Sequence, residues 1–365
     1  MVFFGNVYRG RRVLVTGHTG FKGSWLCLWL KELGAEVAGY SIGLPTTPCN
    51  FELLDLSNHI KSYEGDIRNY QRLAEVVDEF QPEIVFHLAA QSLVRNSYID
   101  PVYTFETNIM GMVNMAEIIR AKPSIEVAVL ITSDKAYKNL EWCWGYREND
   151  QLGGDDPYSA SKSCADIIAQ SYYKSFFEMG KTRVAIARAG NVIGGGDWAA
   201  DRIVPDCIRA WSSDKPVMVR HPNATRPWQH VLEPLGGYLK LGSVLYNDSH
   251  KIDGEAYNFG PNTNVSQTVI ELLKEMKLRW ENITWNLIED CSEKKNHEAM
   301  LLKLSCDKAL HDLNWVPVLT FQETVEMTIN WYLSWHEGNM SLLDLSVEHI
   351  HSYSNKALMK SWINN

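Results

Sequence analysis

Tyr158 and Lys162 are the residues whose types and spacing point most directly to chemistry. In the segment Tyr158-Ser-Ala-Ser-Lys162 they stand at positions i and i+4, so a helix would place them on one face, a turn apart. A free tyrosine has a pKa of about 10, and a nearby ammonium group favours the phenolate and lowers that pKa. Such a pair can take a proton from a hydroxyl while a hydride leaves the same carbon. Because the same spacing also arises as a surface pair, the rest of the chain must supply the context.

A second polar group is the segment Thr132-Ser133-Asp134-Lys135-Ala-Tyr137, which follows an apolar run at 126–132. In open α/β sheets, ligands bind beyond the carboxyl ends of the strands. If the run is a strand, a hydroxyl, a carboxylate and an amine gather where a ligand is expected. The alternative is a polar strand-to-loop turn without chemistry.

Three glycines, Gly17, Gly20 and Gly23, lie between a β-branched apolar run at 12–16 and an apolar stretch at 21–33. Glycine permits a tight turn, lets the backbone approach a pyrophosphate, and lets a helix pack close to the strand. The helix N-terminus then offers free N–H groups to phosphates. This context predicts a dinucleotide-binding turn, with an ordinary glycine turn as the alternative.

The residues around the glycine turn leave several readings open. The place where an acidic residue usually holds the adenosine ribose reads Gly39-Tyr40-Ser41, without a carboxylate. The rule therefore does not separate NAD from NADP, and the lack of an arginine beside Ser41 favours NAD. Asp66 could touch the adenine edge or be a turn aspartate. His18 and Lys22, inside the turn, could contact the cofactor or point to solvent.

Strand-like and helical segments alternate through the first half of the chain, which predicts a doubly wound parallel Rossmann sheet covered on both faces. The strand-like runs are 12–16, 36–40, 83–90, 126–132 and 183–187, with 256–260 as a further candidate, and the helical stretches are 21–33, 70–80, 101–121 and 157–179. After about residue 190, glycine, proline and tryptophan become frequent and the elements shorten. This half predicts a smaller, mixed α/β substrate lobe.

Composition excludes several classes of function. The net charge of −9 argues against a broad basic surface for nucleic acid. The 7 cysteines are dispersed without a Cys-x-x-Cys pair, which favours reduced thiols in the cytoplasm over disulfides or a metal site. No signal peptide is visible and no apolar run reaches about 18 residues, so we expect a cytoplasmic protein that binds no membrane.

Taken together, these residues resemble the extended short-chain dehydrogenase/reductase superfamily, in its nucleotide-sugar-modifying branch of epimerases and dehydratases. The resemblance covers roughly residues 8 to 335 and is closest to the 4,6-dehydratases that act on CDP-glucose. The segments that carry it are VTGHTGFKGSWL, EIVFHLAAQSLVR, ITSDKAY, WGYRENDQLGGDDPYSASK, ARAGNVIGGGDW, DRIVPD and RPWQHVLEPL.

The resemblance implies NAD as the cofactor and a nucleotide sugar, CDP-glucose, as the substrate. Tyr158 would take the proton from the sugar 4-hydroxyl, which Ser133 would hydrogen-bond. Lys162 would tune Tyr158 and bind the nicotinamide ribose. After hydride transfer from C4, a base would remove the C5 proton while protonated Asp134 helps the 6-hydroxyl leave as water. The hydride would then return to C6, so no net redox occurs.

Position 135 departs from the many dehydratases that carry glutamate there as the C5 base. Lys135 could act as a base only when neutral, which requires a pKa lowered from about 10.4 by burial or a neighbouring cation. The alternative is that Lys135 holds the sugar and another group takes the proton.

The resemblance also implies binding positions. The expected cofactor-binding residues are Gly17, His18, Gly20, Phe21, Lys22, Gly23, Asp66, Ile67 and Ala89, together with Tyr158 and Lys162. Asn191 matches the position that touches the substrate phosphates, and Arg202 and Arg226 are further candidates because guanidinium groups grip a diphosphate bidentately. His297 and Glu298 lie in a segment that resembles the family only loosely. The cluster at 142–146 could cover the nucleotide or pack in the core.

The expected organisation is an NAD-binding Rossmann domain over residues 1–190 with a return segment near 230–262, and a nucleotide-sugar-binding lobe over 191–229 and 263–340. We assign no role to the tail at 341–365. A homodimer or higher homo-oligomer through the helices at 101–121 and 157–179 would suit the superfamily.

Two other functions remain open. A 4-epimerase or reductase of the same fold would use Tyr158 and Lys162 without an acid–base pair for C5 and C6. A non-catalytic nucleotide-binding protein would typically have lost one of these two residues. The preference for CDP over dTDP, UDP or GDP rests on the resemblance alone.

Overall fold

The computed structural model describes residues 3–247, 251–262, 267–280, 283–287 and 301–363. Its strands are β1 (Arg12–Thr16), β2 (Glu36–Ser41), β3 (Lys61–Glu64), β4 (Ile84–His87), β5 (Val127–Ile131), β6 (Arg183–Ala189), β7 (Val217–Val219), β8 (Thr225–Arg226), β9 (Ala256–Phe259), β10 (Gln267–Thr268) and β11 (Trp285–Leu287). The central sheet has 7 strands in the order β3-β2-β1-β4-β5-β6-β9, and every neighbouring pair is parallel. The strand order reverses between β1 and β4, which is where ligands bind in such sheets.

The helices cover both faces of this sheet. They are α1 (Phe21–Glu32), α2 (Asn50–Leu53), α3 (Tyr70–Phe80), α4 (Val94–Ile99), α5 (Pro101–Phe105), α6 (Gly111–Ala121), α7 (Pro157–Tyr172), α8 (Ile203–Trp211), α9 (Leu232–Asn247), α10 (Val269–Lys277), α11 (Asp307–Leu313), α12 (Phe321–Glu337) and α13 (Leu342–Met359). Wider π-type turns at Glu106–Met110 and Tyr173–Phe177 follow α5 and α7.

Alternating side chains of the strands supply two cores, one on each face of the sheet. Val13 and Val15 of β1 enter one buried cluster, whereas Leu14 enters the other. In the same way Val127 and Ala128 of β5 face opposite sides. Because both faces are covered by helices, the strands are apolar on both sides. The predicted doubly wound parallel sheet is confirmed.

The predicted segments agree with the structure except at a few points. β3 was not predicted, since its sequence KSYE is polar and its residues are largely exposed at the edge of the sheet. The predicted helix over 101–121 is interrupted by the π turn at Glu106–Met110. The other predicted strands and helices are present, with ends that differ by a few residues.

The second half of the chain builds smaller elements beside the main sheet. β7 pairs with β11 in parallel and β8 pairs with β10 antiparallel, giving two small sheets. This agrees with the expected mixed lobe. The exact domain boundaries stay a prediction.

The C-terminal helix α13 belongs to the core of the molecule. Its His349 ring is parallel to that of Trp25 in α1, and its Tyr353 ring meets Trp29 edge-on. The backbone N–H of Phe4 donates to the carbonyl of Ile363 at 2.8 Å. The tail to which the sequence assigned no role therefore closes the apolar core around α1.

Glu233 joins three parts of the chain from a fully buried position in α9. Its Oε1 accepts from the backbone N–H groups of Val318 and Leu319 at 2.8 and 2.7 Å. Its Oε2 accepts from the hydroxyl of Tyr353 in α13 at 2.8 Å. Burial raises the pKa of Glu233 from 4.5 to about 7, although these hydrogen bonds oppose the shift.

The raised pKa of Glu233 predicts a specific pH dependence of stability. Since the folded protein binds this proton more tightly, the contribution is complete below pH 4.5 and is lost as the pH rises through about 7. Replacing Glu233 by Gln should flatten the fall in the free energy of unfolding across that window, measured by urea denaturation. The exposed Glu52→Gln variant is the control. Equal slopes in wild type and E233Q would contradict the prediction.

Candidate active site

Tyr158 and Lys162 lie on the first turns of α7, as the sequence predicts. Asp156 caps this helix by accepting from the N–H of Ser159 at 2.9 Å, and Pro157 occupies the first helical position. Both functional side chains are buried, with Tyr158 at 8% and Lys162 at 6% exposure. The cap therefore determines where the helix begins and which turn carries each residue.

The predicted lowering of the Tyr158 pKa is wrong for the polypeptide by itself. Burial raises the pKa of Tyr158 to about 12, the hydrogen bond with Ser133 lowers it, and the charge of Asp134 raises it. Burial also lowers the pKa of Lys162 to about 8, while Asp166 opposes that shift. A nearby ammonium group favours the phenolate, but burial of the tyrosine is the larger effect on its pKa.

Ser133, Asp134 and Lys135 follow directly on β5, at the carboxyl edge of the sheet. The Ser133 hydroxyl donates to Asp134 Oδ1 at 2.9 Å and accepts from the Lys135 N–H at 3.2 Å. Burial raises the pKa of Asp134, against the opposing charges of Lys135 and Lys22. A carboxyl group in this environment holds its proton more tightly than usual, as a general acid must.

Asp134 lines a small cleft together with Gly190, Gln229 and Leu302–Leu304. A second, shallower cleft shares Leu302 and Lys303 with the first and is lined also by Arg226. The predicted acid and one predicted phosphate-binding arginine therefore line adjoining spaces. Sequence reasoning missed Lys303, because it follows a stretch with only a loose family resemblance.

The glycine turn follows β1 at the point where the strand order reverses. Gly17 has φ +76°, and a Cβ there would lie 2.9 Å from the backbone N of Ala89. A Cβ on Gly23 would lie 2.1 Å from the Gly17 carbonyl oxygen. Helix α1 then begins at Phe21 without a side-chain cap at Gly20. The open helix N-terminus and the close backbone approach fit a dinucleotide pyrophosphate.

His18 turns inward, so the solvent-pointing alternative is wrong for it, whereas Lys22 is only partly buried. Its ring is 1% exposed, lies against Gly39, and places Nε2 2.7 Å from the Ser62 hydroxyl. Burial lowers the pKa of His18 to about 4, so the ring is neutral. Burial lowers the pKa of Lys22 to about 8, and Asp134 is the charge that most opposes this. Lys22 therefore faces the catalytic segment.

Asp66 has the role of a turn aspartate in the structure. Its Oδ1 accepts from the N–H of Arg68 at 2.9 Å, and its Oδ2 forms an ion pair with the Arg68 guanidinium at 2.7 Å. The adjacent Ile67 is buried against Gly111. Contact of Asp66 and Ile67 with the adenine stays a prediction.

The predicted substrate residues have different surroundings in the structure. Arg202 forms an ion pair with Asp197 at 2.8 Å, and its charge lowers the pKa of Tyr158. Arg226 lines the second cleft, and Asn191 is exposed in the loop after β6. His297 and Glu298 lie outside the described residues.

The aromatic cluster at 142–146 is largely packed rather than open. Tyr146 stacks on Tyr137 with ring centroids 5.3 Å apart, and Trp142 packs on Tyr146 at 5.0 Å. Trp144 is 60% exposed at the end of this row. Core packing, the second of the two readings, holds for Tyr146.

Sequence reasoning missed one pair of charged residues altogether. Asp166 of α7 and Arg188 of β6 form a fully buried ion pair beneath the catalytic residues. An available signal was the arginine inside the otherwise apolar strand RVAIARA. Buried charges are retained only when they are paired and hydrogen-bonded.

The fold and the site together define an extended short-chain dehydrogenase/reductase. Within it, the chain belongs to the GDP-mannose 4,6 dehydratase family, whose pattern matches residues 14–328. A CDP-glucose 4,6-dehydratase of Salmonella typhimurium is 46% identical over 344 residues, covering 93% of this chain and 95% of that protein. A dTDP-glucose 4,6-dehydratase of Haemophilus influenzae is 24% identical over 337 residues, covering 88% of this chain and 97% of that protein.

Solved structures share the fold. A dTDP-glucose 4,6-dehydratase from Streptomyces venezuelae, with NAD bound, has a TM-score of 0.74 at 22% identity, covering 91% of this chain and 99% of that chain. A UDP-glucose 4-epimerase from Thermus thermophilus in complex with NAD has a TM-score of 0.74 at 24% identity, covering 88% and 99%. Within the described ranges, no helix is long and apolar enough to span a membrane.

Proposed function

We propose that this protein is an NAD-dependent nucleotide-sugar 4,6-dehydratase that converts CDP-glucose to CDP-4-dehydro-6-deoxyglucose and water. The observation that carries the proposal is a buried Asp134, with a raised pKa, beside Ser133 and Tyr158. A 4-epimerase needs the Tyr158 pair alone, whereas a dehydratase also needs an acid for the 6-hydroxyl. The relative that is 46% identical is a CDP-glucose 4,6-dehydratase, which supports dehydration as the reaction and cytosine as the nucleotide base of the substrate.

The oxidising half of the reaction belongs to α7 and the glycine turn. Gly17, Gly20 and Gly23 would let the backbone approach the cofactor pyrophosphate, and Lys162 would hold the nicotinamide ribose. NAD, when bound there, supplies the acceptor for the C4 hydride and later its donor to C6. Tyr158 takes the proton from O4, and Ser133 holds this hydroxyl in place.

The elimination half belongs to the segment after β5. The new C4 ketone acidifies the C5 proton, which a base removes. Asp134 gives its proton to the 6-hydroxyl, the C6–O bond breaks, and water leaves. Hydride then enters C6 and the base returns its proton to C5. The proton that Tyr158 took from O4 replaces the one that Asp134 gave up, so one water is lost overall.

The substrate diphosphate would lie over the two clefts. Arg226 lines the second cleft, next to the one that Asp134 lines. Arg202 and Asn191 would complete the diphosphate site, with Arg202 close enough to Tyr158 to influence its pKa. Guanidinium groups suit this task because their planar fork matches phosphate oxygens.

The proposed reaction can be tested with purified protein and NAD. Among CDP-, dTDP-, UDP- and GDP-glucose, we expect CDP-glucose to give a 4-keto-6-deoxy sugar, identified by mass spectrometry and NMR. Tyr158→Phe should lower turnover by about 10²–10⁴-fold, because it removes the proton acceptor. Tyr63→Phe, which loses a surface hydrogen bond to Glu79, is the control. Unchanged CDP-glucose together with epimerisation of another sugar would overturn the proposal.

We propose Lys135 as the C5 base, with Lys22 as the rival amine. Both ammonium groups act on the pKa of Asp134, so both lie near the elimination site. In single turnovers in heavy water, Lys135→Gln should still reduce the cofactor but should incorporate deuterium at C5 about 100-fold more slowly. Lys22→Gln is the matched comparison. If only the Lys22 variant loses C5 exchange, the assignment to Lys135 is wrong.

We propose that the protein is cytoplasmic and forms a homodimer. The six described cysteines are free thiols, as is usual in a reducing compartment. Helices α4, α5 and α7 and their π turns pack together and expose large apolar side chains. These are Ile99, Val102, Met110, Ile167 and Phe176. Exposed apolar patches commonly mark interaction surfaces, and a second copy could cover this one symmetrically.

The dimer can be tested on this apolar surface. Ile167→Asp should convert the dimer to monomers, because a two-fold interface would bury the new charge on both copies. Multi-angle light scattering gives the mass directly. Leu278→Asp, at an exposed apolar residue after α10 and outside this surface, should leave the mass unchanged. A wild-type monomer, or an I167D dimer, would contradict the proposed interface.

A further inference from the structure

We propose that Asp166 and Arg188, which form a buried ion pair, are positioning residues that fix the two halves of the active site relative to each other. One half is α7, with Tyr158 and Lys162. The other is the segment that contains Asp134. The inference rests on the proposed function, because it assigns oxidation to the first half and elimination to the second.

The geometry of the pair is bidentate and enclosed. Asp166 lies one helical turn after Lys162 in α7, and Arg188 comes from β6. Arg188 Nε donates to Asp166 Oδ2 at 2.8 Å, and Nη2 donates to Oδ1 at 2.7 Å. The two side chains are 0% and 1% exposed. Parallel N–H···O bonds of this kind fix orientation as well as distance.

The catalytic segment is attached to this pair at both of its ends. The Thr132 hydroxyl donates to Asp166 Oδ2 at 2.8 Å. At the other end, Arg188 Nη1 donates to the Tyr137 hydroxyl at 2.7 Å, and its guanidinium lies 4.9 Å from the centre of the Tyr137 ring. Asp134 lies between these two attachment points. Its position relative to α7 is therefore held by this ion pair, together with the bond that the Ser163 hydroxyl of α7 donates to the Ala136 carbonyl at 2.8 Å.

The Tyr137 end carries a further link to the sheet. Its hydroxyl donates to Asn258 Oδ1 in β9 at 2.7 Å, and Arg188 Nη1 also donates to the Glu148 carbonyl at 2.8 Å. The network thus ties the catalytic segment to β6, β9 and α7 at once. Its two charged side chains are almost completely buried, so dissolved salt screens the attraction between them only weakly.

Stability alone does not explain such a pair. Desolvation of two charges offsets most of their attraction, and an apolar pair of similar volume is often equally stable. An apolar pair, however, forms no hydrogen bonds and so does not fix the orientation of its neighbours. A displacement of about 1 Å between reacting groups can cost about 100-fold in rate, so directional anchors beneath Asp134 have a catalytic use.

The test loosens one anchor while the ion pair stays intact. Tyr137→Phe keeps the ring that stacks on Tyr146 and loses the two hydroxyl bonds. With Asp134 less well placed, elimination should slow more than oxidation does. We expect kcat to fall about tenfold with an unchanged KM, while the absorbance of reduced cofactor during steady-state turnover rises. Thr132→Val should act in the same direction and Thr132→Ser should restore wild-type behaviour.

The control is Tyr353→Phe, which also removes a buried tyrosine hydroxyl, in this case one that donates to the Glu233 carboxylate away from the Asp166–Arg188 network. It should leave the steady-state level of reduced cofactor unchanged. If Y137F and T132V lower turnover without raising that level, the pair is merely structural and the inference is overturned. Failure of the proposed function would look different, because the wild type itself would then form no 6-deoxy product.

Discussion

Ionisable side chains are buried where the strands of the parallel sheet end and α7 begins. This edge of the sheet brings Asp134 and Lys162 into one enclosed place. Enclosure raises the pKa of Asp134 and lowers that of Lys162, which gives each group a reactivity that it lacks in water. The same enclosure penalises every charge without a partner. In the Asp166–Arg188 pair each charge has a partner of opposite sign, and the two parallel hydrogen bonds also fix the orientation of the side chains.

The glycine turn and the catalytic segment meet because of where they lie in the strand order. The turn follows β1 and the Ala89 loop follows β4, and the order reverses between these strands. The catalytic segment follows β5, the next strand along. Residues far apart in sequence are thus collected at one edge by topology, while α7 contributes its pair from above that edge. The cofactor turn, the Ala89 loop and the catalytic segment thus follow three neighbouring strands, β1, β4 and β5.

Much of this arrangement could be predicted from the sequence, because it depends on local signals. β-branched runs, the glycine spacing and the cap at Asp156 each specify their element within a few residues. β3 was missed because an edge strand needs no apolar pattern. The raised pKa of Tyr158 was missed because burial is a property of the whole fold. Lys303 was missed because the stretch before it resembles the family only loosely. The arginine within an apolar strand was a signal for Arg188, but its partner Asp166 could be identified only from the tertiary contact.

The contact of α13 with α1 has a consequence for how the molecule is made. The helix that opens the cofactor turn lies in the first tenth of the chain, yet Trp25 and Trp29 pack on His349 and Tyr353 near its end. During synthesis, the part of α1 that packs on α13 stays uncovered until α13 has left the ribosome, although β1, β2, α2 and α9 cover the rest of the helix earlier. The face of α1 that packs on α13 is thus enclosed only after the intervening chain has been made.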